Sequence, residues 1–287
     1  MRATSTDALL LVDKPAGISS HDVVALARRA LGSRKVGHGG TLDPFATGLL
    51  VLLAGRGTRL LQFVPSEPKV YEAVIRFGTQ TDTDDRTGTP VYDAPPPRAE
   101  AVAAAIPAFT GALQQVPPAY SAKHVAGERA YALARRGEPP DLPAVPVFVE
   151  SWEVLEQGTD FLRARIACGT GTYIRSLARD LGRALGSAAH LESLRRVRVG
   201  PFDVADADGI DALRAGDIRR HDLREALGEM PVERLAVEEV RRVRHGMSIP
   251  ASVAGQRAAL VDGHGELVAI ASRQGDAWHP DVVLSAE

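Results

Sequence analysis

The chain is predicted to be an α/β protein of the α+β type, and three observations carry that reading: one strand-period stretch, two capped helix-period stretches, and a change of character near Pro231. In the first, KVYEAVIRF at 69–77 alternates so that Tyr71, Ala73, Ile75 and Phe77 share one face of a strand. In the second, Ser19 or Ser20 caps a helix that runs through Leu31 and stops at Gly32. A second helix over 172–185 turns Ile174, Leu177, Ala178, Leu181 and Leu185 inward before Gly186 ends it. In the third, a short helix with Val237, Val240 and Val243 precedes a hairpin of Ala258–Val261 and Glu266–Ala271, joined by Asp262-Gly263-His264-Gly265.

The remaining elements fall between these. Leu9–Val12 is a short buried strand closed by the turn Lys14-Pro15-Ala16-Gly17. The apolar run Leu49–Ala54 is a central strand, and TQTDTDDRTG is a polar loop that closes the strand at 69–77. Residues 98–109 are helical, and Pro95-Pro96-Pro97 is a turn. From Gln114 to Pro146 the mixture of Pro, Gly and a helical piece at 127–136 marks an excursion from the core, a lid or thumb. Strands at 147–156 and 161–168 then form a hairpin around Gln157-Gly158-Thr159-Asp160. The expected organisation is a catalytic domain at 1–230, with a thumb-like insertion at about 120–146, and a small β module at 231–287.

Composition excludes more than it assigns. With 45% apolar and 24% charged residues the chain builds a core, and a net charge of -2 does not announce nucleic acid. Lysine occurs only at 14, 35, 69 and 123, so nearly all the positive charge is arginine, which forks onto phosphates and stacks on bases. Genomic base composition shifts Lys to Arg without any functional demand, so the bias assigns no partner by itself. Cys168 is the single cysteine, which excludes an internal disulfide or a multi-cysteine zinc site and fits a reducing cytoplasm. The apolar stretch before Asp13 is too short for a signal-peptide core, and no run is long enough to cross a bilayer, so a cytoplasmic protein without membrane association is expected.

The densest unusual segment is GHGGTLDPFATGLL at 37–50. Its glycines let the backbone approach a ligand, and Pro44 stiffens the exit after Asp43. Read locally, Asp43 suits a positioned carboxylate and, equally well, a helix N-cap or an Asx turn before proline. Context decides between them. GHGGTLDPFATGLL resembles the signature of the B family of pseudouridine synthases. So do LLVDKPAGISSHDVV at 10–24, KVYEA at 69–73, GTQTDTDDRTG at 78–88, PPAYSA at 117–122, GTYIRSLARDLG at 171–182 and AHLESLRR at 189–196. Seven motifs in family order across the first 200 residues are not a chance match.

That resemblance implies a pseudouridine synthase fold, a mixed and largely antiparallel sheet with flanking helices, and a PUA-like C-terminal module. It also implies the reaction: cleavage of the C1′–N1 bond of a uridine, rotation of the uracil, and rejoining through C5. The implied substrate is tRNA, at uridine 55 in the T loop of the T arm, with no cofactor and no metal. By the same resemblance Asp43 is the essential carboxylate, either a nucleophile toward the sugar or a base at C2′. An ionised carboxylate in a closed cleft needs a cation beside it, and Arg175 matches the family arginine that supplies one. Tyr71 matches the tyrosine that stacks on the uracil and takes the C5 proton, although a tyrosine on an alternating strand is more often core. Leu194 matches an apolar residue near the base, for which core packing is an equal reading. His38 matches a histidine that fills the space of the flipped nucleotide as a wedge or stacker. Extrusion of the target costs a few kcal/mol and less in a loop.

Lys14, Lys69 and the run Arg195, Arg196 and Arg198 are expected phosphate contacts, although short basic runs are usually solvated faces. The sequence departs from the family at Lys123–His124, where histidine stands in place of lysine after YSA. Asp82, Asp84 and Asp85 superficially suggest a calcium loop, but Arg86 and Thr87 occupy the places of the third ligand and the glycine. GTGTYIR lacks the third glycine of a dinucleotide fingerprint, and the eight histidines show no paired metal spacing. A monomer with no required protein partner is expected. Two rivals remain: a tRNA-folding chaperone, and a guide-dependent relative that shares the aspartate loop.

Overall fold

The protein is described by a computed structural model covering residues 6–121, 124–125, 128–138 and 140–284. Its elements in chain order begin with β1 (Ala8–Lys14), α1 (Ser20–Leu31), β2 (Val36–His38), β3 (Thr47–Ala54), β4 (Lys69–Phe77), β5 (Thr79–Thr81) and β6 (Pro90–Asp93). There follow α2 (Ala99–Ala105), β7 (Gly111–Gln115), β8 (His124–Val125), β9 (Glu128–Arg129), α3 (Ala130–Arg135), β10 (Val145–Gln157) and β11 (Phe161–Cys168). The last are α4 (Ile174–Ala184), β12 (Ala189–Val199), β13 (Phe202–Asp203), β14 (Asp208–Gly209), α5 (Ile210–Ala215), β15 (Val232–Arg234), α6 (Val237–Arg244), β16 (Ile249–Pro250), β17 (Arg257–Val261), β18 (Leu267–Gln274) and β19 (Ala277–Val283).

The main sheet runs β14-β1-β3-β12-β4-β11-β10-β7, with β2 on β3 and β13 on β12. Only β1·β14 and β3·β12 are parallel, so the sheet is mixed and largely antiparallel as the motifs imply. Local chemistry explains the elements. Ser19 accepts the Asp22 N–H while Asp22 accepts the Ser19 N–H, a capping box, and Gly32 closes α1 in the left-handed region at φ 60°. Alternation along β4 buries Tyr71, Ala73, Ile75 and Phe77 against α4, whose Ile174, Leu177, Ala178 and Leu181 face the same core.

β1 and β3 read as continuous apolar runs because both of their faces are covered. Leu10, Val12, Leu50 and Leu52 pack with α1 and α5, while Leu9, Leu11, Leu49, Val51 and Leu53 face the opposite core. That second core includes Ala259, Ile270 and Val282, so strands of the C-terminal sheet close over the main one. The smaller sheet, β15-β17-β18-β19-β16, draws its strands from residue 232 onward and has its own core around the fully buried Trp278. Among the described residues no helix is long and apolar enough to cross a membrane.

Two expectations change. The stretch TQTDTDDRTG is only partly a loop: its first residues form β5 and pair with β6. The rest folds around Asp85, whose Oδ1 accepts from the Thr87 N–H at 2.9 Å and from the Thr83 hydroxyl at 2.9 Å. Side-chain to backbone bonds of this kind hold a turn that lacks apolar anchors. In α6 only Val243 is fully buried, while Val237 is 86% exposed, because an eight-residue helix makes only about two turns and Val237 begins it. The excursion expected at about 120–146 lies between β7 and β10 and includes β8, β9 and α3. Lys123, and with it the departure at Lys123–His124, lies outside the described residues.

Glu233 of β15 is the polar keystone of the smaller sheet. It is 6% exposed, and its carboxylate accepts from the Ser252 N–H and hydroxyl, the Val253 N–H and the Trp278 indole N–H. Burial pushes its carboxyl up, but these donors together hold it below its ordinary value of 4.5. A depressed folded value adds stability that is fully present above the unfolded value and lost as pH falls through the folded one. Glu233→Gln is therefore expected to cost about 2–3 kcal/mol at pH 7, with the gap from wild type closing below about pH 4. Urea titrations at pH 7 and pH 3.5 check this, and a gap that does not change with pH refutes it.

Candidate active site

The segment after β2 is held in place by a cation from another strand. Arg196 on β12 is buried, and it donates from Nε to Leu49 O at 2.8 Å, from Nη2 to Gly40 O at 3.1 Å and from Nη1 to Thr41 O at 3.4 Å. At Gly48, φ is 102°, and a Cβ there would stand 2.2 Å from Arg196 O, so only glycine lets β3 meet β12. The Ser20 hydroxyl completes the loop, donating to Leu42 O and accepting the Leu42 N–H. Asp43 closes a turn with its carbonyl, which accepts the Ala46 N–H, while its side chain turns away to Arg175. The Asx-turn and N-cap readings are thereby replaced by an ion pair between residues far apart in the sequence.

Arg175 sits in the first turn of α4 with a side chain 4% exposed, against 33% for Asp43. Its Nη2 donates to Asp43 Oδ1 at 3.0 Å. Nε lies 2.9 Å from Asp43 Oδ2 but is not aligned as a hydrogen bond, so the second contact is electrostatic. The other donors are occupied by Thr83 O and Tyr120 O, each at 3.0 Å, with Asp85 Oδ2 at 3.7 Å from Nη1. Four residues later on the same helix face, Arg179 holds Asp84 at 2.9 Å and Val116 O at 2.8 Å. Burial pushes the Asp84 carboxyl up against the pull of Arg179. Asp84 and Asp85, which suggested a cation loop, are thus turned toward two arginines.

A cleft of about 420 Å³ opens over this pair, within the size range of small-molecule sites. Asp43, Arg175, Tyr71, Leu194 and Lys69 line it, so five of the seven expected site residues converge there. Burial pushes the Tyr71 phenol up, and the Arg196 guanidinium beside it pulls the other way. The Lys69 ammonium reaches Thr170 Oγ1 at 3.3 Å and is pushed below its ordinary value by burial and by Arg196. His38 is half-buried at the start of the loop, where its Nδ1 accepts the Gly40 N–H at 3.3 Å. Burial and then Arg196 lower its pKa, so the ring is neutral at pH 7.

The basic residues correct the sequence reading. Lys14 is fully buried; its ammonium donates to Pro15 O at 2.9 Å, Ile18 O at 2.8 Å and Pro44 O at 3.4 Å, and burial brings it down to about 8. It braces the turn under the aspartate loop and has no face for a phosphate. Arg196 is inside, Arg195 is paired with Asp13 at 2.7 Å, and Arg198 Nε bonds Gly200 O at 2.8 Å. Tyr120, Ser121, Tyr173 and the Gly169–Thr172 turn also line the cleft and were not singled out individually, although PPAYSA and GTYIR contain most of them.

Residues 28–174 match the TruB family pseudouridylate synthase (N terminal domain), and residues 175–237 match the tRNA pseudouridylate synthase B C-terminal domain. The chain is 45% identical over 294 residues to the tRNA pseudouridine synthase B of Thermobifida fusca (strain YX), covering 97% of this chain and 99% of that protein. It is 44% identical over 285 residues to the tRNA pseudouridine synthase B of Nocardia farcinica (strain IFM 10152), covering 96% and 92%. Among solved structures it is similar to a Cbf5-Nop10-Gar1 complex, with 25% identity, a TM-score of 0.70, and coverage of 97% of this chain and 85% of that one. Fold and relatives together define an enzyme of the pseudouridine synthase class. The chain belongs to the TruB family of pseudouridylate synthases.

Removing the Arg196 clamp leaves two loop carbonyls, of Gly40 and Thr41, and the β3 carbonyl of Leu49 without this donor. Arg196→Met is expected to cost about 2–4 kcal/mol of stability, read from the urea midpoint. A loss under about 0.5 kcal/mol, the size of an ordinary surface change, means the clamp contributes nothing.

Proposed function

We propose that the protein isomerises uridine 55 in the T loop of tRNA to pseudouridine, acting as a monomer in the cytoplasm. The observation that carries this reading is the Asp43–Arg175 pair in the cleft, a carboxylate one-third exposed and steadied from behind by a nearly dry guanidinium. Asp43 acts on the ribose, as a nucleophile at C1′ or as a base at C2′, and the C1′–N1 bond breaks. The freed uracil turns, C5 joins C1′, the C5 proton leaves and N1 gains one, so nothing is consumed and no cofactor is called for.

Each neighbour has a part that its position supports. Tyr71 and Leu194 bound the base end of the cleft, and Tyr71 meets the uracil as a neutral phenol that stacks. In the loss of the C5 proton it works beside Arg196, which favours the phenolate. Lys69 at the cleft wall is the cation placed to meet a phosphate. His38, neutral and half-buried beside the loop, fills the space of the extruded nucleotide. The module at 231–287 extends the RNA contacts of the domain at 1–230. The names of the relatives at 44–45% identity support tRNA as the substrate.

With C5-tritiated tRNA, the wild-type protein is expected to release tritium. Asp43→Asn should release none while binding tRNA within about threefold of wild type, well under 1 kcal/mol. Arg175→Lys should lose roughly 100-fold in kcat/KM, about 2.7 kcal/mol, because a point charge cannot serve Asp43 and two carbonyls at once. Full activity of Asp43→Asn ends this reading.

A further inference from the structure

Buried polar atoms without a partner mark places where a ligand completes the hydrogen bonding, since leaving them unpaired is unfavourable. Among the described residues there are four such side-chain atoms, and three of them, Ser121 Oγ, Thr172 Oγ1 and Arg175 Nε, belong to residues that line the cleft. Arg175 Nε already stands 2.9 Å from Asp43, and Thr172 has the Cys168 thiol beside it as a weak partner. Ser121 is 4% exposed, and its hydroxyl stands close enough to the Tyr173 phenol to pull that group's pKa down, but the two are not aligned as a hydrogen bond.

Its position selects the part of the substrate it faces. The carbonyl of Tyr120, the residue before it, accepts from Arg175 Nη2, the same nitrogen that donates to Asp43 Oδ1. The Tyr173 phenol feels the charges of both Arg175 and Asp43. The hydroxyl pair therefore stands in the cleft beside the Asp43–Arg175 pair. If Asp43 attacks the ribose, the ribose lies here. A phosphate calls for a cation or backbone N–H groups, whereas a neutral hydroxyl that both donates and accepts matches the ribose 2′-hydroxyl.

We propose that Ser121, with Tyr173 beside it, binds the 2′-hydroxyl of the target nucleotide and so distinguishes RNA from DNA at the reacting position. This rests on the cleft being the uridine site. The test measures binding of a T-arm stem-loop carrying uridine or 2′-deoxyuridine at the target, using Asp43→Asn protein with and without Ser121→Ala, and repeats it with Tyr173→Phe. Ser121→Ala is expected to weaken the ribose-containing RNA about tenfold and to leave the deoxy RNA within twofold, while Tyr173→Phe shows the same selectivity at smaller size. Equal losses on both RNAs, which a shape change at the thumb root would produce, overturn the proposal, and so does no loss on either. Tritium release by Ser121→Ala protein with intact Asp43 keeps the two readings apart. Release with no ribose selectivity in binding sinks the Ser121 assignment alone, whereas no release by the wild type sinks the uridine reading itself.

Discussion

Everything in the site follows from putting a guanidinium where almost no water reaches. Arg175 is tolerated there because two carbonyls and two carboxylates from three separate segments surround it. The two carboxylates are not equivalent. Asp85 is the more buried but lies 3.7 Å away, and its Oδ1 is already occupied by Thr83 and Thr87. Asp43 is closer, more exposed and lacks such ties, so the guanidinium steadies the carboxylate that substrate can reach. A lysine in place of Arg175 has no planar fork with which to span these partners.

The same helix turns that contact into architecture. Arg175 and Arg179 stand one turn apart and take successive groups of one short segment, Thr83 O and Asp85 for the first and Asp84 for the second. They also take Tyr120 O and Val116 O, while Ser176 bonds Val116 O as well. Gln115 exchanges hydrogen bonds with both backbone groups of Tyr173. The start of α4 is therefore joined to the acidic loop on one side and to the end of β7 and the residues that follow it on the other. A shift of either is felt at Asp43 through a single side chain.

What could be read in the sequence was whatever has a local period or a long motif. The capping box of α1, the alternation of β4 and the inward stripe of α4 are properties of neighbouring residues, and they hold. Arg196 could not be read this way. AHLESLRR shows no clean alternation, because β12 carries register shifts at Leu191/Ser193 and Arg196/Arg198, and without a legible period the sequence does not say which of two adjacent arginines faces in. Arg195 goes outward to Asp13 and Arg196 inward to the aspartate loop. Lys14 misled for a related reason: the sequence announces its charge, but its burial depends on Pro44, thirty residues away. The acidic run at 82–85 resembled a cation loop because its partners, Arg175 and Arg179, are distant in the chain and carry no local signal.

This also explains why a net charge of -2 was uninformative. The charged residues lining the cleft are Lys69, Arg175 and Arg196 against Asp43 alone, three cations to one anion. Two of those cations are spent largely on backbone carbonyls, which offset burial without cancelling formal charge. The cleft lining therefore carries an excess of formal positive charge while the whole molecule is slightly acidic, and low-dielectric walls strengthen such a local excess. For a substrate whose reacting sugar carries phosphates on both sides, the local excess decides attraction. The overall charge sets only how the protein behaves far from its target.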